Sequence, residues 1–232
     1  MVHNAGAADF VGAEPERVLK AVFGYDSFRP FQKEIIASVL AGKDTLAVMP
    51  TGGGKSLCCQ IPALIFDGLT IVVSPLIALM QDQVSALAEN GVSAVFLNST
   101  LEWDDYRKAS DDIRSGKIKL VYVSPEGLAT ERLKDLFCSD GVKVSCVTID
   151  EAHCISEWGH DFRPDYLELA SVRHLFSDAV CLALTATATA SVRADIIKNL
   201  GMKRCEVFVA SFNRKNIFLE VQPKRNELGQ VV

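Results

Sequence analysis

What the chain does not contain narrows it first. Its longest apolar stretch, residues 69–80, is broken by Ser74 and Pro75 and falls well short of the roughly 20 apolar residues that a membrane-spanning helix requires. The opening MVHNAGAADF has no basic start followed by an apolar run, so no secretory signal is expected there. Basic residues are not in excess. There are 24 against 29 acidic ones, and a net charge of −5 excludes a wholly basic nucleic-acid coat, though a groove with local positive charge remains open. No CxxC pair occurs, and the cysteines number seven, an odd count, mostly inside apolar runs such as VSCVTI and AVCLAL. Buried, reduced thiols account for them better than a disulfide framework does. His153, Cys154 and His160 are close in sequence but lack a second ligand pair at metal spacing, so no zinc is expected. Internal repeats and low-complexity segments are also missing. A soluble, intracellular chain with no membrane partner is the expectation.

What is there is ordinary globular material, 49% hydrophobic and 23% charged over 232 residues, enough to bury a sizeable core. Six short apolar runs read as strands: 44–49, 69–73, 94–97, 119–123, 144–149 and 179–184. Helical patterns separate them, as in LIALMQDQVSALAENG, where Leu76, Leu79, Met80, Val84 and Leu87 recur at helical spacing before Gly91. Near-continuous apolar strands alternating with helices predict an α/β fold, a single doubly wound parallel sheet, with ligands at the carboxyl ends of its strands. Residues 1–13 read as a loose, flexible Ala/Gly-rich arm, 14–42 as a helical preface within a lobe spanning 14–210, and 211–232 as a polar linker.

Two motifs carry chemistry. MPTGGGKS lies between the first predicted strand and the helical pattern LCCQIPALIF. Gly52, Gly53 and Gly54 permit a backbone curl whose N–H groups, with Thr51, cradle a phosphate. Lys55 would reach the β- and γ-phosphates, and the Ser56 hydroxyl would ligate Mg²⁺. Met49 occupies a position where the general P-loop pattern carries Gly. The bland reading is a Gly-rich turn that happens to precede Lys-Ser; the strand before and the helix after argue against it. The second motif, Asp150-Glu151-Ala152-His153, ends the run VSCVTI. Acidic turns after strands are common, but in one sheet with a P-loop this one acquires a role. Asp150 would hold Mg²⁺ and Glu151 would orient or deprotonate the attacking water. Together the motifs imply an NTPase.

PTGGGKS with DEAH resembles the superfamily 2 helicases, and four further segments resemble the RecQ family in particular: FGYDSFRPFQKEII, SPLIALMQDQV, HCISEWGHDFRPDY and SFNRKNI. The resemblance runs over almost the whole chain from about residue 16. It implies a RecA-like first motor lobe that binds ATP and Mg²⁺. It also implies that the parent protein unwinds DNA in the 3′-to-5′ direction, in repair and recombination, with single-stranded and partly duplex DNA as partners. By resemblance Tyr25 stacks on adenine while Arg29 and Gln32 hydrogen-bond it; the bland reading makes Tyr25, Phe28 and Phe31 a hydrophobic cap. Trp158, Phe162 and Tyr166, interleaved with Arg163, have the makings of a base-stacking platform. By resemblance that loop senses single-stranded DNA, with His160 near the nucleotide. An aromatic plug at the domain's edge is the alternative, more natural for Tyr166 than for Trp158. The hydroxyls of Thr185, Thr187 and Thr189 could relay the state of the catalytic carboxylate or cap a helix; the resemblance implies the relay for Thr185 and Thr187 and the cap for Thr189.

The sequence departs from the family pattern at Cys59 (usually Tyr), Gln81 (usually Lys) and Gly127 (usually Arg), which puts one aromatic contact and two positive contacts in doubt. The resemblance also implies a second RecA-like lobe with an arginine finger, expected in the full-length parent beyond residue 232. The expected location is the cytoplasm or nucleoid of a bacterium, or the nucleus of a eukaryote. Two competing readings remain: an RNA-directed helicase lobe, and a nucleotide-binding module without turnover.

Overall fold

A computed structural model of the chain describes residues 10–98, 101–159 and 161–211. His160, residues 212–217 of SFNRKNI and the rest of the tail lie outside the described residues. Seven strands form one sheet: β1 (Thr45–Val48), β2 (Leu69–Val73), β3 (Ala94–Leu97), β4 (Leu120–Val123), β5 (Val144–Ile149), β6 (Val180–Thr185) and β7 (Glu206–Val209). They stand in the order β3-β4-β2-β5-β6-β1-β7, and every pairing is parallel. The expected strands at 69–73, 94–97 and 144–149 match β2, β3 and β5; β6 runs one residue later than read, through Thr185. The edge strand β7 was not foreseen. It is four residues of alternating half-buried and exposed side chains on the flank of β1, a much weaker signal than the fully buried β1 and β2.

Strand geometry sends alternate side chains to opposite faces, and two separate cores follow from that period of two. On one face Ile71, Val73, Val121, Val147, Ile149 and Ala183 pack beneath α5 (Trp103–Arg114), α7 (Glu131–Phe137), α8 (Asp165–Leu175) and α9 (Ala190–Asn199). On the other, Ala47, Val72, Tyr122, Leu182 and Leu184 meet α1 (Pro15–Phe23), α2 (Gln32–Leu40), α3 (Lys55–Ile65) and α4 (Ile77–Glu89). This is the doubly wound arrangement the sequence predicts. Phe10 is buried in the second core and the Gly12 amide donates to the Ile65 carbonyl at 3.0 Å, so residues 10–13, read from sequence as part of a loose arm, pack on the lobe. No helix among the described residues is long and apolar enough to cross a membrane.

At the amino ends of the strands, Asp44 ties three of them together. Its Oδ1 accepts from the Cys181 amide at 2.9 Å and from Arg173 at 3.5 Å, and its Oδ2 accepts from the Lys203 amide at 3.0 Å. The carboxyl ends are left to the site. There β1, β6, β5 and β2 are successive neighbours, so the segments that follow them converge.

Candidate functional site

The P-loop leaves β1 and enters α3, whose N-cap is Gly54. Gly52 and Gly54 adopt φ of 79° and 85°, a left-handed conformation that side chains disfavour. Gly54 is constrained twice, because a Cβ there would lie 2.3 Å from Nε2 of Gln32. Lys55 extends its Nζ to the Met49 carbonyl at 3.3 Å, across the mouth of the loop. Thr51, Gly52, Gly54, Lys55 and Ser56 share one cavity of about 380 Å³ with Ser74, Thr148, Asp150 and Glu151. The two chemical motifs, 95 residues apart in sequence counting from Lys55 to Asp150, therefore face a single space. The hydroxyl of Ser56 and the carboxylate of Asp150 are hard oxygen donors, the kind Mg²⁺ takes, so the residues fit that ion.

Asp150 follows β5, with its amide donating to the Val73 carbonyl at 2.8 Å. Burial, and after it the charge of Glu151, push its carboxyl up to about 6. Its Oδ1 accepts from the Glu151 amide at 3.0 Å, and its carbonyl accepts from the Tyr166 hydroxyl at 3.0 Å. Glu151 adopts φ of 47°, uncommon outside glycine, and this bend directs its Oε2 to within 3.3 Å of Nδ1 of His153. The same nitrogen lies 2.9 Å from Oγ1 of Thr185 at the end of β6. Thr185, fully buried, also donates to the Thr187 carbonyl at 3.1 Å. Thr187 thus joins this network through its backbone, while the Thr189 side chain caps α9 by accepting from the Val192 amide at 3.3 Å.

A second cavity of about 330 Å³ adjoins the first, with Gly54, Ser56 and Gln83 lining both. Tyr25, Arg29 and Gln32 lie along it. Tyr25 and Phe31 are exposed and Phe28 alone packs against the core, which removes the reading of the three as a hydrophobic cap. Gln32 is buried and already engaged: Oε1 accepts from the Arg29 amide at 2.8 Å and Nε2 donates to the Gly54 carbonyl at 3.0 Å. Arg29 donates to the Gly52 carbonyl. The segment is therefore clamped to the P-loop, and one N–H and one lone pair of Gln32 stay unused by these bonds. Gln83 and Gln60 escaped notice in the sequence. Gln60 Nε2 donates to Gln83 Oε1 at 3.0 Å between the two cavities, and nothing in the helical pattern of either residue marks it as special.

The aromatic segment after DEAH divides sharply. Tyr166 is fully buried, whereas Trp158 is 78% exposed and Phe162 half-buried. Arg163 pairs with Asp161 at 3.1 Å. His153, Cys154 and Asp161 bring ligand-type atoms within 4.8 Å of one another, but Arg163 already holds Asp161, and burial pushes the Cys154 thiol up to about 12. Of the departures, Cys59 is buried at the cavity that the P-loop and DEAH share, and its thiol donates to the Ser56 carbonyl at 3.0 Å. Gln81 is exposed on α4, and Gly127 lies in α6 (Pro125–Leu128).

A parallel sheet with a P-loop after β1 and an acidic pair at the end of β5, two strands away across β6, defines a RecA-like nucleoside-triphosphatase lobe. The profile of the DEAD/DEAH box helicase family matches residues 29–196, and the chain belongs to that family. It is 49% identical over 214 residues to the ATP-dependent DNA helicase RecQ of Haemophilus influenzae, covering 92% of this chain and 34% of that protein. It is 43% identical to the ATP-dependent DNA helicase Q1 of Rattus norvegicus, covering 90% of this chain and 34% of that one. The chain thus spans about a third of the length of these relatives. Among solved structures, the DUF1998 helicase MrfA bound to DNA superposes with a TM-score of 0.69 at 19% identity, over 85% of this chain and 29% of that one. A hypothetical ATP-dependent RNA helicase from Sulfolobus tokodaii superposes with a TM-score of 0.64 at 21% identity, over 84% and 56%. At such identities the likeness is one of fold.

Proposed function

We propose that this chain is the ATP-binding motor lobe of a RecQ-type DNA helicase, holding Mg-ATP between the P-loop and DEAH and contacting single-stranded DNA through the segment that carries Trp158. The observation that carries the reading is the shared cavity. Lys55, Ser56, Asp150 and Glu151 line one space, which opens onto a second lined by Tyr25, Arg29 and Gln32. Lys55 neutralises the β- and γ-phosphates, and the loop amides around Gly52, Gly53 and Gly54 cradle them. Ser56 would ligate Mg²⁺ and Asp150 would hold it through its water shell, and the ion would offset the charge on the phosphate oxygens. Glu151 orients the attacking water, and His153 ties Glu151 to Thr185, so the state of the carboxylate reaches β6 and the segment after it. Tyr25 stacks on the base while Arg29 and Gln32 hydrogen-bond it. Trp158, Phe162 and Arg163 offer the aromatic and guanidinium faces on which unpaired bases stack.

The identity to named DNA helicases supports DNA over RNA as the substrate of the parent protein. Work on genomic DNA would place the protein in a bacterial cytoplasm or nucleoid, or in a eukaryotic nucleus. Full unwinding would require a second RecA-like lobe. The test is calorimetric titration of the chain with Mg-ATP. Lys55→Ala should weaken binding about ten- to a hundredfold, the value of a lost charge-assisted contact of about 1.5–3 kcal/mol, with the melting curve unchanged. Equal affinity in the variant would refute the P-loop assignment.

A further inference from the structure

The loop that carries Trp158 is anchored at an unexpected place. Ser156 is fully buried, and its hydroxyl donates to Oδ2 of Asp195 on α9 at 2.8 Å. The Ser156 Oγ in turn accepts from the Trp158 amide at 3.2 Å. The Ser156 carbonyl accepts from the Gly159 amide at 2.9 Å, closing a turn with Trp158 near its tip. The turn is tight, since a Cβ at Gly159 would lie 2.6 Å from the His153 carbonyl oxygen. A weaker contact, Asn199 Nδ2 to the Ile155 carbonyl at 3.5 Å, joins the same helix to the same strand of chain. Trp158 itself is 78% exposed, so its own side chain has little packing to hold it.

We propose that Ser156 and Asp195 are positioning residues that hold Trp158 ready to receive a base, making α9 the frame on which the aromatic segment is mounted. The inference rests on the proposed DNA contact of that segment. The physical case is one of ordering cost. An exposed indole on a free loop would lose its conformational freedom on binding, whereas a backbone already fixed at the Trp158 amide has lost it beforehand. The anchor also has a direction. The helix that holds Asp195 is capped by Thr189, four residues beyond Thr185, and Thr185 lies against His153. The Trp158 turn, α9 and the segment that meets the DEAH motif are thus joined by one run of contacts.

The chain has two tryptophans, Trp103 and Trp158, so a Trp103→Phe background leaves Trp158 as the single reporter. In that background, Ser156→Ala and Asp195→Ala should lower the fluorescence anisotropy of Trp158 without DNA. They should also weaken binding of a short oligothymidylate about 3- to 10-fold, the worth of one hydrogen bond, while Mg-ATP affinity stays as in the parent. Asp195→Asn keeps an oxygen acceptor for the Ser156 hydroxyl and should restore both readings. A purely structural role would lower the melting temperature without this rescue pattern. Unchanged anisotropy in Asp195→Ala, or an Asp195→Asn variant as impaired as Asp195→Ala, overturns the proposal. If the unmodified chain binds no oligothymidylate, the DNA reading fails, and the DNA-free anisotropy still decides whether the anchor orders Trp158.

Discussion

At the scale of single residues, Asp150 and Gln32 carry opposite kinds of burial. Asp150 is an acid whose charged form the empty protein disfavours, with its carboxyl raised from an ordinary 3.8 to about 6. Because the folded chain then holds its proton more tightly than the unfolded chain does, this group's contribution to stability is highest below pH 3.8. It falls as pH rises towards 6 and is a constant penalty above that. Asp150→Asn should therefore stabilise the metal-free chain at pH 7 by on the order of 1–2 kcal/mol, and the gain should vanish near pH 4. Thermal melts of both proteins from pH 4 to pH 8 (roughly the window set by the linkage) check it; a gain independent of pH would mean that the carboxylate is not the cause. Gln32 is buried as an amide held between the Arg29 amide and the Gly54 carbonyl. On the proposed reading, its remaining donor and acceptor meet the edge of adenine, an edge that guanine reverses. The chain should bind Mg-ATP more tightly than Mg-GTP by about tenfold or more, and Gln32→Ala should erase the preference. Equal wild-type affinities would reduce Gln32 to a clamp on the P-loop.

Among the elements, the ends of the strands divide their labour. The amino ends carry the Asp44 clip to Cys181, Arg173 and Lys203, and the carboxyl ends carry the cavities. Asp44 is almost completely covered, with 11% of its side chain exposed against 13% for Arg173. Removing it leaves Arg173 with the Phe176 carbonyl and takes the acceptor from the part-buried Cys181 amide, so Asp44→Ala should cost about 1–3 kcal/mol in chemical denaturation. Because the site lies at the other end of the sheet, Mg-ATP affinity under native conditions should not change. A loss of affinity without a loss of stability would contradict this separation. The aromatic segment shows how an element's role depends on its surroundings. Tyr166 and Trp158 share one stretch of sequence, yet Tyr166 fills the core and bonds the Asp150 carbonyl while Trp158 stands in solvent. The sequence favours a plugging role for Tyr166 over Trp158, and the structure agrees, because α8 returns over the sheet and carries Tyr166 into the core.

Over the whole molecule, the phosphate cavity shows a one-sided distribution of charge. Among the described residues that line it, Lys55 is the single cation, set against Asp150 and Glu151. Phosphoryl transfer spreads negative charge over the γ-phosphate oxygens, and an arginine reaching them is worth roughly 10³–10⁵ in rate. The 232-residue chain by itself should bind Mg-ATP, hydrolyse it very slowly with or without DNA, and fail to unwind. Phosphate release and strand displacement, measured at rising chain concentration, test this. Robust unwinding would show that a second copy or another surface completes the site. Translocation has a separate requirement, two bodies whose spacing follows nucleotide state, which one lobe does not meet.

The sequence by itself determined the class of fold, the strands with continuous apolar runs and the two chemical motifs, since each of these signals is contained within a few adjacent residues. Fully buried strands such as LTIVV and VCLALT announce themselves because both faces are covered; the edge strand EVFV does not, because only one side of it meets the core. Only the tertiary structure decided which distant residues meet. It brought the P-loop and DEAH to one cavity through the neighbouring ends of β1, β6, β5 and β2. It clamped Gln32 onto Gly54, placed Gln60 and Gln83 between the two cavities, and mounted the Trp158 turn on Asp195. Each of these is a contact across 22 or more positions, 22 for the nearest and 39 for the Ser156–Asp195 bond, and it depends on strand order and helix packing. Periodicity reports which face of an element is covered. It carries no information about which partner covers it, and that partner is what turns a hydroxyl or an amide into part of a site.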